Sequence, residues 1–316
     1  MTMLEPGAAT SGSTRTGGTG ASAQLLRPRS LDEALEMLAQ PDTAVLGGGV
    51  GHLLRRHDRG PTAAALVAVG PLAELGEIAW SADHVSIGAG VRLSRIEADA
   101  RLARIWPLVT RAAGSVATAR IRRLVTLGGN IAACDDSHDP PVALAAAGAE
   151  LVVCGRESTR VLPAASIGVL ALALRPGEVI REVRLPIPVG RVGSAFEKFL
   201  VRGVWEYACV NVGAVVRLGE DGIVRGLSLA VGSVAGGPVL VNLADLLGAS
   251  LEDGRIETAV LDEIGRRAAA STAPYSDVRG SARYKSQMIA EFSRRAVAAA
   301  LRRAEDRGTE PEGQDR

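Results

Sequence analysis

The sequence predicts an α+β protein: a two-lobed front half built around two glycine turns, followed by a domain with a sheet and packed helices. Three observations carry this. An apolar strand runs into "LGGGVG" near residue 46, and a second glycine turn, "TLGGN", follows about eighty residues later. From Gly193 a run of alternating strands gives way to helical periodicity, which is the order expected of helices laid on a sheet.

Taken in order, residues 1–24 are rich in Gly, Ser and Thr and read as a disordered leader without an apolar core that would mark a secretory signal. Order is expected from "RPRSLDEALEML", where Ser30 and Glu33 form a capping box before a helix with Leu31, Ala34, Leu35 and Leu38 on one face. "TAVLGGGVGHLLRR" then gives a strand, a glycine loop and a short helix, and "AAALVAVG" a second strand, closing a small β-α-β unit. In the second lobe "HVSIGAGV" is a strand, and the stretch Leu93 to Val116 supplies two helices broken at Pro107. "ARIRRLVTLGGNIAACD" is expected as strand, glycine turn and strand. "PVALAAAGAELVVCG" is a helix followed by a strand, "TRVLPAASI" is its hairpin partner, and "GEVIREVRLPIP" is a closing strand. Beyond Gly193 a strand meander with "EDG" as a hairpin turn precedes three helices, in "NLADLLGA", "RIETAVLDEIGRRAAAST" and "GSARYKSQMIAEFSRRAVAAALRRA". The tail from 306 to 316 is polar and expected to be disordered. The bounds expected are 25–190 for the front domain, with lobes near 25–79 and 80–190, and 193–305 for the second.

Composition narrows the function. The 316 residues are 47% hydrophobic and 22% charged with a net charge of +1, an ordinary globular balance without the basic field that nucleic-acid binding needs. Three separated cysteines and four scattered histidines offer no metal-ligand spacing, and they suit a reducing cytoplasm. No apolar run reaches the length of a membrane span. The segment "VTLGGNIAACDDSHDPP" sets acids beside a glycine turn: Asp139 either favours the start of the helix at Pro140 or meets ligand hydroxyls. Two glycine loops in separate lobes suit one long ligand clamped between them, as a dinucleotide is. No G-x-S-x-G or H-E-x-x-H pattern is present.

The set "LGGGVGHLL", "IRRLVTLGGNIAACDDSHDPP", "SAFEKFLVRGVWEYACVNVGAVV" and "SDVRGSARYKSQM" resembles the FAD-binding medium subunit of the molybdenum hydroxylases, the carbon monoxide and xanthine dehydrogenase type. The resemblance implies a two-lobed, PCMH-type FAD-binding domain followed by the α+β C-terminal domain of that flavoprotein. It implies FAD as cofactor, with Leu46, Gly47, Gly48, Gly49, Val50, Gly51, His52 and Leu53 as the first pyrophosphate loop. Thr126, Leu127, Gly128, Gly129 and Asn130 are the second, with the Thr126 hydroxyl and backbone amides on phosphate oxygens. Asp139 falls where an acid meets flavin hydroxyls, Val116 and Ile180 where apolar side chains line flavin or adenine, and Lys198 and Tyr207 where a lysine and an aromatic approach the flavin. Val50 and Gly51 depart from the polar residues usual in the first loop. The implied activity is electron relay from the iron–sulfur clusters of a small subunit, beside a large subunit holding the molybdenum cofactor, to an external acceptor. A stand-alone FAD-dependent oxidoreductase of a biosynthetic pathway and a flavin-free scaffold are the alternatives.

Overall fold

The computed structural model describes residues 23–59, 63–169, 174–203, 205–246 and 257–307. The expected leader, apart from its last two residues, the last nine residues of the tail and the last three residues of the "NLADLLGA" helix lie outside them. In its five described residues, 242–246, the expected helix is only a short 3₁₀ turn, Ala244–Leu246.

Order begins before the capping box. β1 (Gln24–Leu26) lies parallel to β3 (Ala65–Ala68), which pairs in parallel with β2 (Thr43–Leu46), giving a three-stranded sheet β1-β3-β2. Between them α1 (Leu31–Leu38) buries Leu31, Ala34, Leu35 and Leu38, and the Ser30 hydroxyl accepts the Glu33 amide as expected. α2 (Val50–Arg59) forms the crossover from β2 to β3.

The second lobe is a five-stranded antiparallel sheet ordered β4-β5-β8-β6-β7. Its strands are β4 (Ile78–Trp80), β5 (His84–Gly88), β6 (Glu150–Cys154), β7 (Thr159–Pro163) and β8 (Val179–Pro186). The two helices expected around Pro107 are three: α3 (Leu93–Ala98), α4 (Ala100–Ile105) and α5 (Pro107–Gly114). The Asp99 carboxylate makes the extra break by accepting the Leu102 amide and starting α4.

The strand–turn–strand expected for "ARIRRLVTLGGNIAACD" is also corrected. Thr118 and Thr126 each cap a short helix, α6 (Ala119–Arg122) and α7 (Leu127–Ala132), and only a single bridge, Arg92 to Thr126, survives of the strand pairing. Hydroxyl caps outcompete an apolar run too short to complete a ladder. α8 (Asp139–Ala146) follows, with both prolines in its first turn, where their missing N–H groups cost nothing.

The C-terminal domain is the meander β9 (Arg191–Phe199), β10 (Val210–Leu218), β11 (Val224–Gly232) and β12 (Val239–Leu240), in the order β12-β11-β10-β9. Gly222 turns the β10–β11 hairpin with φ +75°. On one face Val210, Val212, Ala214 and Val216 pack into a core with α9 (Thr258–Ala270) and α10 (Ala282–Asp306). The domain's own helices cover that face, and α8 of the front domain covers the other, with all eight of its residues buried. Two sheet glycines make room for it: a Cβ on Gly213 would sit 3.0 Å from the Ala146 Cβ, and one on Gly232 would collide with Val142. One helix therefore belongs to the cores of both domains.

The late motif around "SDVRGSARYK" is a strut beneath this joint. Asp277 binds the Arg279 guanidinium (2.6 and 2.9 Å) and pairs at 2.9 Å with Lys285, which is fully buried over the Tyr275 ring. Arg279 in turn donates to the Ala208 carbonyl, and the Tyr275 hydroxyl to Asp136. Burial and that hydrogen bond push the Tyr275 phenol up to about 12. Burial raises the Asp277 carboxyl, but hydrogen bonds from Arg279 and the Lys285 ammonium outweigh it and hold the group at about 2.

A carboxyl held below its ordinary value contributes stability that is present above 3.8 and fades as pH falls toward 2. Asp277→Asn is therefore expected to cost roughly 1–3 kcal/mol at pH 7, because Lys285 loses its counter-charge. Denaturation of both proteins across pH should show that gap closing as pH falls to about 2. A gap constant from pH 7 to pH 2 would mean the ion pairs contribute nothing.

Candidate functional site: the cleft between the lobes

A cleft of about 520 Å³ runs between the two lobes and the edge of the C-terminal domain. Of the residues singled out in the sequence, it brings together Leu46, Gly47, Gly48, Gly49, Val50, Gly51, His52, Val116, Thr126, Gly128, Gly129, Asn130, Asp139, Ile180, Lys198 and Tyr207. Leu53 and Leu127 are not among its walls. Leu53 is exposed on the outer side of α2, and Leu127 is buried in the second-lobe core.

The two glycine loops touch each other. A Cβ on Gly47 would stand 2.7 Å from the Thr126 hydroxyl oxygen, and one on Gly129 would stand 2.8 Å from the same atom. Gly70 supports the first loop from behind, where a Cβ would meet the Gly47 carbonyl at 2.5 Å. Gly49 turns the chain into α2 at φ +82°, and its carbonyl accepts the Leu53 amide. The amides of Val50, Gly51 and His52 then have no acceptor within the helix, which leaves them pointing out of its positive end.

The second loop differs from the expectation. Its amides are engaged within the protein: Leu127 donates to the Val91 carbonyl, Gly128 to the Ala89 carbonyl, and Gly129 to the Thr126 hydroxyl at 3.2 Å. Free amide donors for an anion therefore come from the first loop, while the second offers the Thr126 hydroxyl hydrogen and Asn130. The Asn130 side-chain oxygen is buried without a hydrogen-bond partner among the described residues. A cradle that side chains would fill and an orphaned acceptor beside it both fit a ligand carrying phosphates and hydroxyls.

Asp139 closes the far wall. Lys198 of β9 pairs with its Oδ2 at 2.6 Å, the Ser115 hydroxyl at the end of α5 donates to the same oxygen, and Asn211 of β10 donates to Oδ1 at 2.8 Å. Lys198 also donates to the Ser115 carbonyl, and the Ser233 hydroxyl, just past the end of β11, donates to the Asn211 side-chain oxygen. Lys198 and Asn211 are cross-strand partners, so one carboxylate is gripped by two neighbours of a ladder. Asp139 makes no cap bond to α8, whose N-cap is His138. The mouth is formed by the loop carrying Trp205, Glu206 and Tyr207. Glu206 accepts the Arg202 amide at 2.6 Å, and burial pushes the Tyr207 phenol up. At another point of the wall Glu178 is gripped by Arg160, which holds its carboxyl low.

Sequence reasoning missed Ser115, Asn211, Glu178 and the engaged amides. Asn211 carries a signal, a lone amide on the inward face of an otherwise apolar strand. Ser115 and Glu178 carry none, because their partners lie 24 and 18 residues away.

A two-lobed fold with a phosphate-ready loop and an appended α+β domain defines a dinucleotide-binding protein of the flavoprotein class. Comparison with known proteins is specific. The family described as FAD binding domain in molybdopterin dehydrogenase matches residues 21–188, and CO dehydrogenase flavoprotein C-terminal domain matches 194–300. The chain belongs to this family, the FAD-containing chains of molybdopterin-dependent dehydrogenases. It is 30% identical to the carbon monoxide dehydrogenase medium chain of Afipia carboxidovorans, over 89% of this chain and 97% of that one. It is 25% identical to the xanthine dehydrogenase FAD-binding subunit of Escherichia coli O157:H7, over 87% and 94%. The solved carbon monoxide dehydrogenase of Hydrogenophaga pseudoflava superposes with a TM-score of 0.81 at 27% identity, over 89% of this chain and 98% of that one.

Two substitutions probe the cleft. Gly129→Val drives a branched side chain onto the Thr126 hydroxyl of its own loop, the atom on which Gly47 of the first loop rests, so the purified protein should lose its flavin absorbance. Full yellow colour would mean that loop contact is not required. Asp139→Asn removes the counter-charge of Lys198, whose side chain is 9% exposed, and should destabilise the flavin-free protein by about 2–4 kcal/mol in urea. An unchanged midpoint would show that the pair is not what joins the two domains.

Proposed function

We propose that the chain holds FAD in this cleft and relays electrons to an external acceptor. Its partners are an iron–sulfur chain that delivers the electrons and a chain carrying the molybdenum cofactor, where substrate is oxidised. The family supports the cofactor and the subunit organisation, and the relatives named as a medium chain and a FAD-binding subunit support separate partner chains. A reducing cytoplasm suits Cys134, Cys154 and Cys209, none of which is in a disulfide. No helix among the described residues is long and apolar enough to cross a membrane.

The observation that carries the relay over direct substrate oxidation is the state of the cleft's carboxylates. Asp139 is tied to Lys198, Glu178 to Arg160, and Glu206 to the Arg202 amide. None of these three carboxylates is left to take a proton from an organic substrate, the wall's His138 is tied through Nδ1 to the Asn130 carbonyl, and a flavin that exchanges electrons with a neighbouring centre needs no such base. Bound FAD supplies two-electron and one-electron chemistry. The chain supplies the rest: the first-loop amides for the pyrophosphate, Asn130 and the Thr126 hydroxyl for nearby polar groups, and Lys198 with Tyr207 beside the ring system. Lys198 keeps a third N–H beyond those given to Asp139 and Ser115, held in direction by both.

Mass analysis of the released cofactor should give FAD, because two loops in separate lobes suit a bridged pyrophosphate; FMN would overturn the clamp. The isolated protein should be reduced readily by dithionite yet turn over small organic substrates far below ordinary rates, on the order of 1–10³ s⁻¹. Co-expression with its cluster and molybdenum chains should yield a larger complex whose flavin is reduced by substrate. Ordinary turnover by the isolated chain would replace the relay with a stand-alone oxidoreductase.

A further inference from the structure

Arg122 lies in the specific motif of the second loop but is not a wall of the cleft. Its guanidinium spends four hydrogen bonds, all inward. Nε and Nη2 bind the two oxygens of Glu97 at 2.7 and 2.9 Å, and Nη1 donates to the carbonyls of Val116 and Ala117, each at 3.1 Å. Val116 and Ala117 do line the cleft. Ala117 is held at φ +42°, a left-handed conformation that a residue with a Cβ adopts only when its surroundings impose it.

In a trans peptide the C=O and N–H point in opposite directions. With the Val116 and Ala117 carbonyls both drawn back to Arg122, the amides of Ala117 and Thr118 turn the other way, toward the cleft. Neither has a hydrogen-bond partner among the described residues. Two successive amides around a left-handed residue form a nest for an acceptor. The neighbouring wall is aliphatic, from Val116, Ile121, Leu174 and Ile180, which suits the flat face of a ring better than a phosphate.

We propose that Arg122 is a positioning residue: with Glu97 it holds Ala117 left-handed, so that the Ala117 and Thr118 amides bind the acceptor edge of a heteroaromatic ring of the bound dinucleotide. This rests on the FAD reading of the cleft. The ring is either the adenine or the isoalloxazine, since both carry acceptor atoms on their edges.

The test uses the full chain stripped of flavin, titrated with FAD by quenching of flavin fluorescence. Arg122→Gln should weaken FAD binding by about tenfold, the equivalent of one lost hydrogen bond. Ala117→Gly keeps the amide and reaches φ > 0 unaided, and is the reference for the double variant. The double variant R122Q/A117G should recover most of the lost affinity, a rescue that general loosening of the protein cannot produce. Arg122→Gln binding as tightly as wild type, or a double variant no better than Arg122→Gln alone, overturns the inference. Repeating the series with ADP and with FMN separates the rings. A loss confined to ADP assigns the nest to adenine, and one confined to FMN assigns it to the flavin. An equal loss for both, or a loss for neither, overturns a ring-edge nest. Failure of the wild-type chain to take up any flavin would instead overturn the cofactor reading itself.

Discussion

The structure depends on one carboxylate. Asp139 begins the helix shared by both domains and is held by Ser115 from α5, Lys198 from β9 and Asn211 from β10. At 2% exposed it is removed from water, and a charge so placed is tolerable only when its lone pairs are filled and a cation stands beside it. Lys198 meets the second condition, and the hydroxyl and amide meet the first. Remove Lys198 and a buried charge is left unpaired at the seam between the domains; remove Ser115 or Asn211 and one of its hydrogen bonds is left unmade.

From that constraint the rest of the joint follows. With Asp139 fixed on the edge of the β9–β10 ladder, α8 must lie across the sheet, and the glycines at 213 and 232 let it approach closely. The same placement sets Lys198 at the cleft with its direction determined by protein groups, before any ligand arrives. Such preorganisation spares a ligand the ordering of a long side chain. The late Asp277–Arg279–Lys285 strut completes the frame, because its hold on the Ala208 carbonyl anchors the end of the loop that carries Tyr207.

Much of this was legible in the sequence where the signal is local. The strand into "LGGGVG", the capping box at Ser30, the prolines opening α8 and the "EDG" hairpin each rest on neighbouring residues, and each was read correctly. Sixteen of the eighteen residues singled out for the site meet at the cleft. The failures have a common cause in competition between local and distant partners. "ARIRRLVTLGGN" has the β-branched content of a strand, but Thr118 and Thr126 cap helices there. The amides of "TLGGN" looked free because their acceptors, the carbonyls of Ala89 and Val91, belong to a segment some forty residues earlier. Nothing in the sequence announces that α8 serves a second domain, since a helix buried all round reads the same whichever sheet covers it.

The central claim is that the two loops, the Val116–Thr118 strip and the β9 edge form one FAD site. Hydrogen exchange measured by mass spectrometry on the chain with and without FAD tests it most directly. Saturation with FAD should slow exchange together at the amides of residues 48–52, 117–118 and 198. Protection confined to a single one of these segments, with the others exchanging as in the flavin-free chain, would contradict a site shared between the lobes and the C-terminal domain.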